Sequence, residues 1–136
     1  MYQISFNSLR RRLEKYPHLN ELEDFINKIL ASTQPVLIIL FGSLAKGNYT
    51  QFSDIDVLCV YDKFFTNNKE RFLYSYKYSR GIVQTKTLSL NEFKQGLMDG
   101  NKFLHQIVSE GLILFSEIES EKMQQWVLKS KNIKNK

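Results

Sequence analysis

The chain has 136 residues, a length that suits one domain with a modest core and leaves no room for a separate substrate domain. Fractions of 43% hydrophobic and 24% charged residues are ordinary for a globular protein, while the net charge of +5 has much of its excess at the two ends, which suits solvated tails and a solvated helix face or an acidic partner. No apolar run approaches the roughly 18 residues that span a bilayer, and a single cysteine excludes an internal disulfide or a Cys-rich zinc site.

Arg10, Arg11 and Arg12 precede any apolar run, unlike a signal peptide, so a cytoplasmic location without membrane attachment is expected. Phe6, Leu9, Leu13 and Tyr16 recur at helical spacing, and Pro17 closes that helix. Asn20 and Glu23 resemble a capping box at the start of a second helix. Its apolar face is Leu22, Phe25, Ile26, Ile29 and Leu30, and Pro35 stops it. His18 and His105 lie far apart without a ligand pattern, which argues against a histidine metal site.

Val36 to Phe41 is a continuous apolar run and reads as a buried central strand. Gly42 breaks it, a short helix is expected from Ser43, and Gly47 to Phe52 reads as a loop. Ile55 to Tyr61 reads as a second strand beside the first, with Asp54 and Asp56 at its start. Cys59, inside this run, reads as a small buried hydrophobe.

Thr66 to Ser79 supports two readings. Phe72, Tyr74, Tyr76 and Tyr78 alternate as in a strand, but Asn67 and Glu70 suit a helix cap, and a helix is expected. Ile82 to Ser89 reads as a third strand, Leu90 to Met98 as a helix, and Asp99-Gly100-Asn101 as a turn. Phe103, Leu104, Ile107 and Val108 mark another helix, stopped by Gly111. Leu112 to Phe115 follows as a short strand, and Ile118, Met123, Trp126 and Val127 mark a final helix. Lys129, Lys131, Lys134 and Lys136 form a basic end, with Lys131 to Lys136 frayed. The sum is an α/β or α+β domain: a mixed sheet of about four strands flanked by helices. It divides into an N-terminal helical pair (1–34), a core (36–115), and a C-terminal helix with a basic tail (117–136).

The chemistry gathers in Gly42-Ser43 and Asp54-Ile55-Asp56, ten residues apart. Residues two apart in a strand face one side, so Asp54 and Asp56 aim two carboxylates into one space. Such a pair repels itself unless a divalent cation lies between, and oxygen ligands suit Mg²⁺ or Mn²⁺. Gly42 leaves the backbone open to a phosphate, the next helix offers its first amides, and the Ser43 hydroxyl adds a donor. Lys46, one turn on, would add charge if it is not simply solvated. Together these residues suit nucleotide binding and nucleotidyl transfer, which rest on positioning and charge neutralisation. The bland reading is a surface turn and an unrelated acidic loop. The joint occurrence of both elements, each attached to an apolar strand, favours the functional one.

Residues 36–61 resemble the core of the DNA polymerase beta-like nucleotidyltransferase superfamily, and the small size suggests its minimal nucleotidyltransferase branch. A weaker resemblance runs through Ser89-Leu90-Asn91-Glu92-Phe93, Gly100-Asn101-Lys102-Phe103 and Glu110-Gly111-Leu112-Ile113-Leu114-Phe115. The resemblance implies Mg²⁺ and ATP or another NTP as donor, with a nucleoside monophosphate passed to a hydroxyl. It further implies catalytic and metal-binding roles for Asp54 and Asp56, and nucleotide binding at Gly42, Ser43 and Lys46. Some members of the branch are antitoxins that modify a HEPN-type RNase toxin, and small proteins of this kind often form homodimers.

One position departs from the pattern. Active members carry a third carboxylate on the next strand, and Ile82 to Leu88 contains no Asp or Glu. Counting back from Glu92-Phe93 puts the missing carboxylate at Gln84, with Lys86 the other inward-facing position. An amide oxygen can ligate a metal but is a poor base. Asp62 would lie roughly 20 Å from Asp56, at about 3.3 Å per residue along the strand, and Glu92 and Asp99 fall on a later helix. A degenerate module that binds a nucleotide or a partner without turnover is therefore the competing reading. Nucleic-acid binding through the basic ends and Tyr74, Tyr76 and Tyr78 is a third, set against half-buried packing of those rings.

Overall fold

A five-stranded mixed sheet organises the protein, whose computed structural model describes residues 2–134. In chain order the elements are β1 (Tyr2–Gln3), α1 (Phe6–Arg12), α2 (Leu19–Ser32), β2 (Pro35–Phe41), α3 (Ser43–Lys46), β3 (Ile55–Tyr61), α4 (Asn68–Tyr76), β4 (Val83–Ser89), α5 (Leu90–Met98), α6 (Lys102–Glu110), β5 (Leu112–Ser116) and α7 (Ser120–Lys134). The strand order is β1-β5-β2-β3-β4. β2 runs antiparallel to both of its neighbours, β3 and β5, while β1–β5 and β3–β4 are parallel pairs.

Alternation along the strands builds two cores, one on each face of the sheet. On one face Ile38, Leu40, Ile55, Val57, Cys59 and Tyr61 pack against Leu9 of α1, Leu22, Phe25, Ile26 and Ile29 of α2, and Leu44 of α3. On the other, Leu37, Ile39, Leu58, Val60 and Ile113 pack against Phe93 and Leu97 of α5, Leu104 and Ile107 of α6, and Met123 of α7. Cys59 is fully buried, and burial pushes its thiol up to about 12.

Several expectations change. The sheet has a fifth strand, because Tyr2 and Gln3 pair with Leu112 and Ile113. α1 ends at Arg12, so Tyr16 sits beyond it in a turn. No Asn20–Glu23 capping box forms. α2 already starts at Leu19 behind His18, whose side chain makes no capping bond, and Glu23 instead takes two hydrogen bonds from Arg10, at 2.6 and 2.9 Å. Leu30 turns outward and is 40% exposed. Between the two readings of Thr66–Ser79 the helix prevails: the Asn67 side chain accepts from the Glu70 amide at 2.8 Å and starts α4. Tyr74, Tyr76 and Tyr78 are half-buried, and Tyr74 and Tyr78 pack against the core. Helix α7 runs to Lys134, and Lys136 lies outside the described residues. Among the described residues no helix is long and apolar enough to cross a membrane.

Candidate active site

The turn from β2 into α3 needs a glycine for two separate reasons. Gly42 has φ 76° and ψ −156°, a region essentially closed to residues with a side chain. A Cβ there would lie 2.5 Å from Asp56 Oδ2. The register explains the proximity: Phe41 on β2 is the cross-strand partner of Asp56 on β3. Gly42 thus makes room for a carboxylate of the same chain, a closer constraint than the open backbone for a phosphate that the sequence suggested. The Gly42 carbonyl accepts from the amides of Ala45 and Lys46, each at 3.1 Å, and so fixes the single turn of α3 that Ser43 begins.

Asp54 is exposed, in the loop one residue before β3, and Asp56 is half-buried inside the strand. Ile55 between them is completely buried and anchors the pair. Burial first, and the Asp54 charge second, push the Asp56 carboxyl above its ordinary value. The two carboxylates therefore feel one another without a compensating cation among the described side chains. That donor set, hard oxygens under mutual repulsion, fits a divalent metal bound mainly by water and phosphate.

Gln84 on β4 is directly opposite Asp56 in the parallel register. Paired residues on adjacent strands face the same side, so Gln84 occupies the position next to the carboxylates and is exposed to solvent. Lys86, paired with Leu58, lies two residues further along that face, and its Nζ is 5.3 Å from the centroid of the Phe103 ring. The other acids weighed for the site, Glu92, Asp99 and Asp62, lie elsewhere. Glu92 closes the capping box of α5 with Ser89 and pairs with Arg71, Asp99 accepts from Gln95, and Asp62 follows the far end of β3. Among the described residues no group of three His, Cys, Asp or Glu side chains is arranged to hold a metal.

Lys46 is not a free cation. Its Nζ lies 3.3 Å from Glu110 Oε2 on α6, so the ion pair competes with any phosphate.

The N-terminal segment contributes more to this site than its sequence indicates. Tyr16 donates to the Ser53 carbonyl at 2.5 Å, immediately before Asp54, and the Tyr49 hydroxyl donates to the Arg12 carbonyl at 3.1 Å. Arg12 in turn donates to the Ala45 carbonyl at 3.4 Å, and the Tyr16 and Tyr49 rings meet edge to face. Arg12 makes this bond while its residue stays exposed. Burial, then the negative charges of Asp54, Glu21 and Asp56, raise the Tyr16 hydroxyl above its usual value, so it stays a hydrogen-bond donor. No local motif betrays these contacts. The one sequence signal was the apolar spacing that marked Tyr16 for burial.

A mixed sheet bearing a Gly-Ser turn and a repelling Asp pair at one end is the architecture of a nucleotidyl-transfer domain. Residues 24–120 match the polymerase beta nucleotidyltransferase family (Polbeta), and the chain belongs to that family. Solved structures agree on the fold. A candidate nucleotidyltransferase from Sulfolobus solfataricus is similar with a TM-score of 0.58 and 20% identity, over 81% of this chain and 88% of that one. A toxin–antitoxin structure with AMP-PNP contains a chain similar at 0.54 and 22% identity, over 83% and 86%. The complex of a tri-AMPylated Shewanella oneidensis HEPN toxin with an MNT antitoxin contains one similar at 0.50 and 22% identity, over 87% and 86%. Comparison with curated proteins finds no match.

Proposed function

We propose that this protein is a metal-dependent nucleotidyltransferase that moves a nucleoside monophosphate from ATP to a hydroxyl of a partner protein, as an antitoxin acting on a HEPN-type toxin. The observation that carries the reading is the fit between Gly42 and Asp56: a Cβ-free turn closes on a carboxylate that burial and Asp54 both keep from ionising easily. Membership of the family supports the reaction class. The toxin–antitoxin complexes that share the fold support the choice of partner.

In this reading Asp54 and Asp56 hold Mg²⁺ or Mn²⁺, with the Gln84 amide oxygen as a neutral third ligand. When bound, the ion would supply positive charge to offset the triphosphate and the developing oxyanion of the acceptor. Ser43 and the first amides of α3 orient the triphosphate. The acceptor oxygen forms a bond to the α-phosphorus, the bond to pyrophosphate breaks, and the hydroxyl proton passes to Asp56 or to water. Gln84 takes no part in that proton transfer, because an amide is not a base at neutral pH.

The test is incubation with Mg²⁺ and labelled ATP, with and without a co-purifying partner. Label should move to the partner, and Asp54→Ala and Asp56→Ala should each abolish the transfer. Absence of label transfer, with both variants behaving as the wild type, would sink the reading.

Gln84 favours a second reading, a degenerate module that binds nucleotide or partner without turnover. Calorimetry would then give affinity without product, and Asp54→Ala would leave partner binding intact.

A further inference from the structure

We propose that the cleft between α3 and α6 receives the base of the nucleotide donor and that Gln106 selects adenine; the proposal rests on the nucleotidyl-transfer reading above. The cleft has a volume of about 170 Å³ and borders the motif at Phe41, Gly42 and Lys46. Phe103, Gln106 and Glu110 line its α6 side. At about 1.5 Å rise per residue, Phe103 to Glu110 spans roughly 10 Å of helix. A cavity of about 150 Å³ accepts a benzene molecule, so this one suits a planar heterocycle and not an entire nucleotide. The phosphates would stay at the Gly42 edge, where Ser43 and the carboxylates lie.

The walls have the chemistry of a base site. Phe103 is 46% exposed although its ring meets Phe41 edge to face at 5.7 Å between centroids. Lys86 Nζ lies over the ring at 5.3 Å from its centroid, and the surface that stays exposed is a stacking platform for a base beside that cation. Gln106 is exposed, and its Nε2 donates to Glu110 Oε2 at 3.3 Å. That bond fixes the amide and uses one of its two N–H donors. The second N–H and the amide oxygen stay available. A glutamine amide offers one donor and one acceptor side by side, which matches N7 and the N6 amino group of adenine. Guanine presents two acceptors on the same edge, O6 and N7, and would leave the amide oxygen facing another oxygen. Lys46 of α3 and Glu110 of α6, both in the lining, pair with each other, which balances the glutamate charge beside the proposed triphosphate.

Calorimetry on the full chain with Mg²⁺ tests this, using non-hydrolysable ATP, its GTP counterpart and inorganic tripolyphosphate as ligands. The wild type should bind the ATP analogue about tenfold more tightly than the GTP analogue, the scale of one bidentate amide–base pair. Gln106→Ala should bring the two within about twofold of each other, by loss of that same pair. Phe103→Ala should weaken both analogues, and neither variant should change tripolyphosphate binding. Retention of the wild-type ATP preference by Gln106→Ala overturns the proposal, as does wild-type binding of tripolyphosphate with no base preference. Failure of the wild type to bind either tripolyphosphate or ATP analogue overturns the nucleotidyl-transfer reading with it. Gln106 is solvent-exposed, so its variant remains informative if Phe103→Ala does not fold.

Discussion

Asp56 and Gln84 stand opposite each other on adjacent parallel strands, a carboxylate paired with an uncharged amide at the edge of the candidate metal site. The position of Gln84 would let a carboxylate complete a cluster of three. Gln84→Asp should therefore raise transfer from labelled ATP at fixed Mg²⁺ by about 100-fold, the lower end of what a positioned general base contributes. The metal-free variant should melt earlier than the wild type, because a third negative charge joins an already repelling pair, and Mg²⁺ should restore it. Product from the variant and none from the wild type would identify the natural chain as a binding module.

Gly42→Ala should cost about 2 kcal/mol in denaturant unfolding, the usual scale for a side chain forced into a region that glycine alone occupies comfortably. The collision with Asp56 Oδ2 should also disturb nucleotide binding. Gly47 makes a useful control. It too has a positive φ, of 90°, but a Cβ there meets nothing within 4 Å. Gly47→Ala should therefore lose stability while keeping nucleotide affinity near the wild-type value. Equal losses of affinity in both variants would mean that strain, not contact with Asp56, governs the site.

These two sites differ in how far sequence exposes them. The strands beside the motif were legible because Val36 to Phe41 and Ile55 to Tyr61 are apolar runs with a clear break after each. Gln84 could be placed by counting back from Glu92-Phe93, and the parallel register sets it opposite Asp56. What stayed hidden depends on distant partners. β1 is two residues long and forms only by pairing with β5, more than a hundred positions later. Lys46 looked free because its partner, Glu110, lies on a helix from the other end of the chain. Asn20 resembled a cap until Arg10 claimed Glu23.

Tyr16 and Ser53, 37 positions apart, give the third prediction. Tyr16→Phe should cost about 1 kcal/mol, the typical worth of a hydrogen bond, and loosen the loop that ends at Asp54. Mg²⁺ affinity should fall with it, measured by titration of the melting temperature. The Tyr16 hydroxyl should also report on the site. Asp54 and Asp56 help to raise its pKa, so Mg²⁺ bound to those carboxylates should lower it toward the ordinary tyrosine value in an NMR titration. No movement on addition of Mg²⁺ would place the ion elsewhere.

Asp56 should make the metal-free protein less stable when ionised. Its carboxyl is raised by burial first and by Asp54 second, so the folded chain holds this proton more tightly than the unfolded chain does. Stability from that proton is present in full below the unfolded carboxylate value and is lost as pH rises through the raised folded value. At neutral pH the cost of the buried charge is complete. Asp56→Asn keeps the shape and removes the charge. It should melt at a higher temperature than the wild type at pH 7, and the difference should close below the carboxylate range. Asp56 is only partly buried, and solvent screening keeps the gain to about 0.5 kcal/mol. Mg²⁺ should reverse the order by stabilising the wild type and leaving Asp56→Asn unchanged, while transfer by the variant falls at least ~100-fold. Greater stability of the metal-free wild type at pH 7 would contradict this assignment, because it would mean that Asp56 has a cationic or hydrogen-bonding partner in the folded chain.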